Sequence, residues 1–362
     1  MRKKRFMSAL LACMLMMMGV FAGTGSATKS TSGFEIQCVV DQHSAVPGGK
    51  VRYHILYHNV QNKSISKAWL KVKIPNGLEL DEVQGADWNG ADGTLNWNLK
   101  DIDSNGAGVV HFNLKVKDDV ENQTDLKVSF SGGVGNALLT EGQPVSVKVG
   151  PEIHQPVFNG YPDGKFHPER LLTRAETAAT IARVMNLPAA SKSTVYQDVS
   201  PDHWAYGYIQ RVTASGYMLG DQGKFRPDEP IRRAEFIVLM LRVKGIQAVP
   251  LDAFADSKEH WADDEIGTTK LLQYTDGLDK DIFNPDGYVN REESSKLLAI
   301  MLYRGELKDG DIAVIQHWPD VAKDRWSFGW IEELSLVAHE SKNVGLFTEK
   351  LVRYLPDQTK PL

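Results

Sequence analysis

The stretch "FHPERLLTRAE", residues 166–176, is followed by "FRPDEPIRRAE" at 225–235 and "FNPDGYVNREE" at 283–293. In each, proline stands two places after the phenylalanine, and an arginine follows that phenylalanine by eight positions. The stretches end at Glu176, Glu235 and Glu293, where helical periodicity begins. "RAETAATIARVM", "RRAEFIVLMLRV" and "REESSKLLAIML" place apolar residues at i, i+3 and i+4, the spacing of one helix face. A second pattern alternates with the first: Asp198, Asp256 and Asp320 lead Trp204, Trp261 and Trp326 by six, five and six residues. Repeats of nearly sixty residues, each with two helices, predict a repeat architecture from residue 151 onward. It opens on a Phe/Arg half alone and closes on an Asp/Trp half alone, so the closing half is expected to pack on the opening one.

Thr173-x-x-Glu176 reads as a capping box and Asn290-x-x-Glu293 as its asparagine-capped version, which gives the glutamates a structural role. Arg174, Arg233 and Arg291 fall at the first helical position, where the helix dipole disfavours a cation by about 0.3–1 kcal/mol. An anionic ligand would offset that cost, since a helix amino terminus offers free N–H groups and arginine a carboxylate-binding fork. The alternative is an ion pair with an aspartate of the neighbouring repeat. The tryptophans are expected in the core, Trp204 sharing a face with Tyr208 and Val212, with sugar stacking as the second reading. The aspartates are expected to end a loop and cap a helix, with sugar contacts second. Gly160, Gly220 and Gly277 precede each phenylalanine by six, five and six residues. They read as positive-φ turns or as points where backbone approaches a ligand.

Residues 33–150 change period. "KVRYHILYHNV", "AWLKVKI", "GTLNWNLKDI", "GVVHFNLKVK", "DLKVSFSG" and "QPVSVKVG" alternate at period two between turn sequences such as "PGG" and "PNG". Six or more such strands predict an antiparallel β-sandwich. "DIDSNG" from Asp101 imitates a calcium loop, but Phe112 occupies its glutamate position, so it reads as a turn.

The stretch from "AVPGGKVRYHILYHNVQN" through "VKIPNGLEL" to "TLNWNLKDIDSNGAGVVHFNLKVK" resembles bacterial extracellular immunoglobulin-like modules. "FNGYPDGKFHPERLLTRAE" followed by "DVSPDHWAYGYI" resembles the S-layer homology domain, over residues 158 to about 340. That resemblance implies three tandem motifs holding an exported protein non-covalently to a secondary wall polymer of a Gram-positive-type bacterium. The polymer it implies is a polysaccharide bearing pyruvylated sugars, bound in grooves between motifs. Its binding residues here would be Arg174, Arg233, Arg291, Trp204, Trp261, Trp326, Asp198, Asp256, Asp320, Gly160, Gly220 and Gly277. Two departures stand out: Arg232 replaces the usual threonine, and Glu292 beside Arg291 would repel an anion from the third groove.

The expected architecture is therefore multidomain: an N-terminal all-β immunoglobulin-like sandwich, then a mostly α-helical repeat domain with a pseudo-threefold arrangement. The expected boundaries are a signal peptide at 1–27, the sandwich at 33–150 and the repeat domain at 151–345. Within the last, motifs run at about 157–190, 195–245 and 253–305, with a closing half-repeat at 317–340 and a tail at 346–362. The signal peptide rests on basic residues, an apolar run from Phe6 to Ala22 and cleavage after Ala22 or Ala27. The mature chain keeps only Cys38, which excludes an internal disulfide. "LPDQT" at 355–359 lacks the glycine and hydrophobic tail of a sortase signal. A net charge of −5 argues against nucleic acid as partner. Protease, P-loop and dinucleotide motifs are missing and the ten histidines are scattered, so neither an enzyme, a metal nor a cofactor is expected. Two alternatives remain: a structural or adhesive protein whose repeats bind another protein, and a wall-glycan hydrolase acting through the sandwich.

Overall fold

The turn-punctuated alternation of residues 33–150 folds into two facing sheets. In the computed structural model, which describes residues 33–360, the strands are β1 (Phe34–Val40), β2 (Ser44–Ala45), β3 (Lys50–Asn59), β4 (Ala68–Lys73), β5 (Leu78–Val83) and β6 (Asp87–Asn89). They continue as β7 (Thr94–Asn98), β8 (Ala107–Val116), β9 (Asp125–Val134), β10 (Ala137–Glu141) and β11 (Val145–Val149). One sheet runs β1-β3-β8-β5; the other runs β2-β11-β9-β4-β7-β6, with β10 paired to β9. In β4 and β9 every second residue is buried, as period two requires. Phe34, Tyr53, Leu70, Trp97, Phe112 and Val128 belong to the core between the sheets. Trp97 satisfies its indole N–H on the Gln84 carbonyl at 3.0 Å. The signal-peptide reading falls on residues 1–27, outside the described residues.

The expectation of a mostly helical second half is corrected. Helix accounts for only about 19% of the structure, which is mostly β-sheet. The helices are α1 (Arg174–Val184), α2 (Tyr206–Ala214), α3 (Arg233–Lys244), α4 (Asp263–Leu271), α5 (Arg291–Met301) and α6 (Phe328–Glu333). Each half-repeat spends most of its length on loops and contributes one helix of six to twelve residues. Between and around them lie β12 (Glu152–His154), β13 (Glu306–Lys308), β14 (His339–Gly345) and β15 (Thr348–Tyr354), which form a sheet in the order β12-β14-β15-β13. The pseudo-threefold helical arrangement falls with this, because the closing segment runs from a six-residue helix into a hairpin that the other repeats lack. Residues 348–354, assigned from sequence to a tail, are an ordered strand of that hairpin.

The two halves share buried surface. β1 is buried along nearly its whole length rather than on alternate residues, because its outer face meets the second half. Gln37 donates to the Gly245 carbonyl at 2.8 Å and accepts from the Gln247 N–H at 3.0 Å. Val39 and Leu56 belong to the same core as the α3 and α5 side chains, and Tyr303 belongs to the sandwich core. At the end of α3, Lys244 is buried here, donating to the Ile300 carbonyl at 3.1 Å and lying 3.2 Å from the Tyr303 ring centre. Burial pushes its ammonium down to about 7, against a smaller opposing pull from Asp41.

A lysine depressed in the folded state binds fewer protons than its unfolded counterpart. Its contribution to stability therefore rises with pH between about 7 and its ordinary value of 10.5. In urea titrations across that range the stability of the parent chain relative to Lys244→Met is expected to rise with pH. Parallel curves would contradict the assignment.

Candidate functional site

Each repeated junction is a turn that reverses at the residue between phenylalanine and proline. His167, Arg226 and Asn284 hold φ of 55°, 59° and 58°, left-handed backbone that side chains other than glycine rarely take. Phe166, Phe225 and Phe283 are buried in the core beneath them. The turn leaves two adjacent N–H groups pointing one way, and one aspartate collects both. Asp198 accepts from Phe225 and Arg226 at 2.9 and 2.7 Å. Asp256 accepts from Phe283 and Asn284 at 2.9 and 2.7 Å. Asp320 accepts from Phe166 and His167 at 3.0 and 2.8 Å, across 150 residues of sequence. Burial alone would raise the Asp198 carboxyl, but the two N–H groups outweigh it and hold it below its ordinary value. These aspartates clasp turns and do not cap helices.

The arginines staple one junction to the next. Arg174 donates Nε to the Phe225 carbonyl at 2.7 Å and Nη2 to that of Leu219 at 3.0 Å, and Nη1 pairs with Glu235 at 2.8 Å. Arg291 donates to the carbonyls of Phe166 and Asn159 at 2.8 and 3.2 Å. Arg233 donates to the Phe283 carbonyl at 3.0 Å and pairs with Glu293 at 3.2 Å, and it has no second carbonyl partner among the described residues. Arg174 and Arg291 are buried, while Arg233 stays partly exposed. Each guanidinium also lies over a junction phenylalanine, at 4.8, 5.0 and 4.3 Å from its ring centre. Carbonyls and capping glutamates, rather than the aspartates weighed from sequence, are therefore the protein's own partners for these cations. Both capping boxes form, at Thr173/Glu176 and Asn290/Glu293; at Arg232 the Glu235 carboxylate still accepts the backbone N–H at 3.0 Å.

The tryptophans reverse the core expectation. Trp204, Trp261 and Trp326 are 61%, 61% and 52% exposed. All three precede their helices by two residues, so no helical face turns them inward. The glycines are close-approach positions: a Cβ on Gly160 would lie 2.2 Å from the Trp318 ring, and one on Gly220 2.4 Å from that of Tyr196. Only Gly277 has positive φ, at 81°. Glu292 is neutralised inside the protein: Arg325 grips both its oxygens at 2.7 and 2.9 Å and the Ser327 hydroxyl donates at 2.7 Å. The repulsion expected from it has no free charge behind it.

Three of the sequence-named residues meet in one hollow. Arg233, Gly277 and Trp326 line a groove of about 260 Å³ together with Ile237, Tyr274, Asp276, Phe283, Glu293, Lys296 and Leu297. Its lining mixes apolar side chains and an exposed indole with two cations, Arg233 and Lys296, and two carboxylates, Asp276 and Glu293, the last paired with Arg233. Asp276 and Lys296 carry no repeated pattern, so comparison among the repeats could not single them out, whereas Tyr274 recurs as Tyr217, each three residues before its glycine, a signal the sequence reading passed over. A hollow of about 320 Å³ beside β3, β5 and β8 contains none of the repeated residues.

Residues 155–178 and 195–237 match the family model of the S-layer homology domain, and these spans contain the first two junctions. Cell surface glycoprotein 1 of Acetivibrio thermocellus is 34% identical over 220 residues, covering 56% of this chain and 9% of that protein. The cellulosome-anchoring protein of the same organism is 30% identical over 200 residues, covering 52% of this chain and 44% of that protein. The chain thus spans less than half the length of either relative. A type I cohesin from Pseudobacteroides cellulosolvens is 19% identical and covers 34% of this chain and 95% of that one; its TM-score of 0.22 carries no argument. The chain carries S-layer homology sequence, and these matches place it among secreted, wall-attached surface proteins.

Glu235 keeps Arg226 as a partner at 2.9 Å without Arg174, so the cost of removing Arg174 lies mainly in the Phe225 and Leu219 carbonyls left unpaired, about 1–3 kcal/mol each. Arg174→Ala is expected to lower unfolding free energy by about 2–4 kcal/mol, and Arg233→Ala, which frees one carbonyl and a part-exposed Glu293, by about 1–2 kcal/mol. Equal losses in denaturant titrations would contradict the difference drawn between them.

Proposed function

We propose that this chain anchors itself to the cell wall by seating an anionic secondary polymer in the Arg233–Trp326 groove. The relatives support the coarser statement, cell-surface anchoring of an exported protein. The observation that carries the finer one is that the one arginine of the three that is not buried shares a groove with an exposed tryptophan. A pyruvate ketal would place its carboxylate against Arg233 and Lys296, while the sugar face stacks on the Trp326 indole. The three tandem motifs supply the frame, and Arg174 and Arg291 serve it from inside. The immunoglobulin-like module of residues 33–150 is the part displayed, and the chain acts without catalysis.

Trp326→Ala removes an exposed ring, so its effect on folding should be small and its effect on binding informative. Sedimentation of the mature chain with isolated walls, half of them stripped of non-peptidoglycan polymer by acid, tests the reading. Binding is expected to native walls only, to weaken with salt, and to fall about tenfold or more, some 1.4 kcal/mol, in Trp326→Ala and Lys296→Gln. Equal binding to stripped walls would point to peptidoglycan and contradict the anion argument. Failure to bind either would favour a protein partner for the repeats.

A further inference from the structure

A second cluster of charged groups lies away from the junctions, where the chain closes. β12 and β14 are antiparallel neighbours with His154 directly opposite His339, and Glu333 at the end of α6 reaches between them. His154 Nδ1 is 2.7 Å from Glu333 Oε1, and His339 Nε2 is 2.9 Å from Glu333 Oε2. Glu349 of β15 brings Oε2 to 3.3 Å from the same His154 nitrogen. One ligating atom from each of His154, Glu333 and His339 lies within 4.8 Å of the others. All four side chains are buried.

The outward faces of the two rings define the problem. His154 Nε2 faces a Glu152 oxygen at 3.5 Å, and His339 Nδ1 faces the Val337 carbonyl at 3.5 Å. Those acceptors favour a proton on each outward nitrogen. The inward nitrogens of neutral rings then present lone pairs to carboxylate oxygens at hydrogen-bond distance, which is repulsive unless positive charge sits between. With neutral rings, Glu333 and Glu349 have as ion-pair partner among the described residues only Arg304, 3.6 Å from Glu333 Oε1. Buried uncompensated anions are costly. Extra protons on the rings or one divalent cation would resolve the conflict. The cation has the better-matched surroundings, because imidazoles whose second nitrogen meets a carboxylate or carbonyl are the usual arrangement around a metal.

We propose that His154 Nδ1, His339 Nε2 and Glu333, with Glu349 as fourth ligand, form a structural site for a zinc-class divalent ion. Two nitrogens and two oxygens suit zinc, whereas calcium and magnesium prefer oxygen alone. The histidines meet different oxygens of Glu333, so to share one ion some separations among the inward atoms, now within 4.8 Å, must narrow and others widen toward about 3.3 Å, the edge of a tetrahedron with bonds of about 2.0–2.1 Å. Glu349 is already oriented by the Gly305 N–H at 2.7 Å and by the Ser341 hydroxyl. Burial leaves no position for substrate, so the ion would fasten β12, α6 and the final hairpin together rather than catalyse.

The test uses the mature chain without a polyhistidine tag, stripped with chelator and titrated near neutral pH with zinc and, separately, with cobalt(II). A single tightly held zinc per chain, a higher Tm with zinc, and the visible bands of tetrahedral cobalt are expected. His154→Ala and His339→Ala should abolish the bound ion. Glu152→Gln, which keeps every ligand, should weaken binding about 10- to 100-fold. If the alanine variants fail to fold, the cobalt spectrum of the parent chain decides. Absence of that spectrum with a Tm indifferent to zinc and chelator would overturn the proposal, as would equal zinc retention by a folded His154→Ala.

Discussion

Two adjacent backbone N–H groups held by one carboxylate are the interaction on which the second half depends. The left-handed residue between phenylalanine and proline is strained, by about 1–3 kcal/mol for a residue other than glycine. Two charge-assisted hydrogen bonds to aspartate offset that strain and fix where the phenylalanine enters the core. With the turn fixed, its carbonyl becomes the acceptor for the arginine of another junction. Asp320 clasps the first turn, and Arg291 then reaches the same turn's Phe166 carbonyl. The backbone bridges Leu171 to Asn290, Thr173 to Pro230 and Arg232 to Tyr288 tie the three stretches together. The closing segment also meets the opening one directly, through Phe158 and Ser335.

That frame explains why arginine recurs where the helix dipole disfavours it. Arg174 spends its donors on two carbonyls and a capping glutamate and Arg291 on two carbonyls, so an external anion is not required to account for either. Arg233 differs because its second carbonyl partner is missing, and the space left over is the groove that Trp326 overlooks.

The junction spacing and the period-two runs of the first half were legible because turn chemistry and strand alternation are local. Capping boxes at Thr173 and Asn290 were legible for the same reason. The tryptophans were not: a helical-face argument applies only inside a helix, and each indole stands two residues before one. The aspartates looked like caps but sit seven or eight residues upstream of the helix, within reach of a turn distant in sequence. β14 escaped notice because it turns His339, Ser341 and Asn343 inward, so its buried face is polar and no apolar alternation marks it. The His154–Glu333–His339 cluster is assembled from segments as much as 185 residues apart, which no spacing rule registers. Helix content was overestimated because each periodic run is real but short.

Hydrogen–deuterium exchange of the mature chain, with and without wall polymer released in soluble form, tests most directly which surface meets the wall. The account predicts new protection in peptides covering 274–297 and around Trp326, with little change at 166–176 or across the sandwich. Protection centred instead on the first junction, or on residues 33–150, would contradict it.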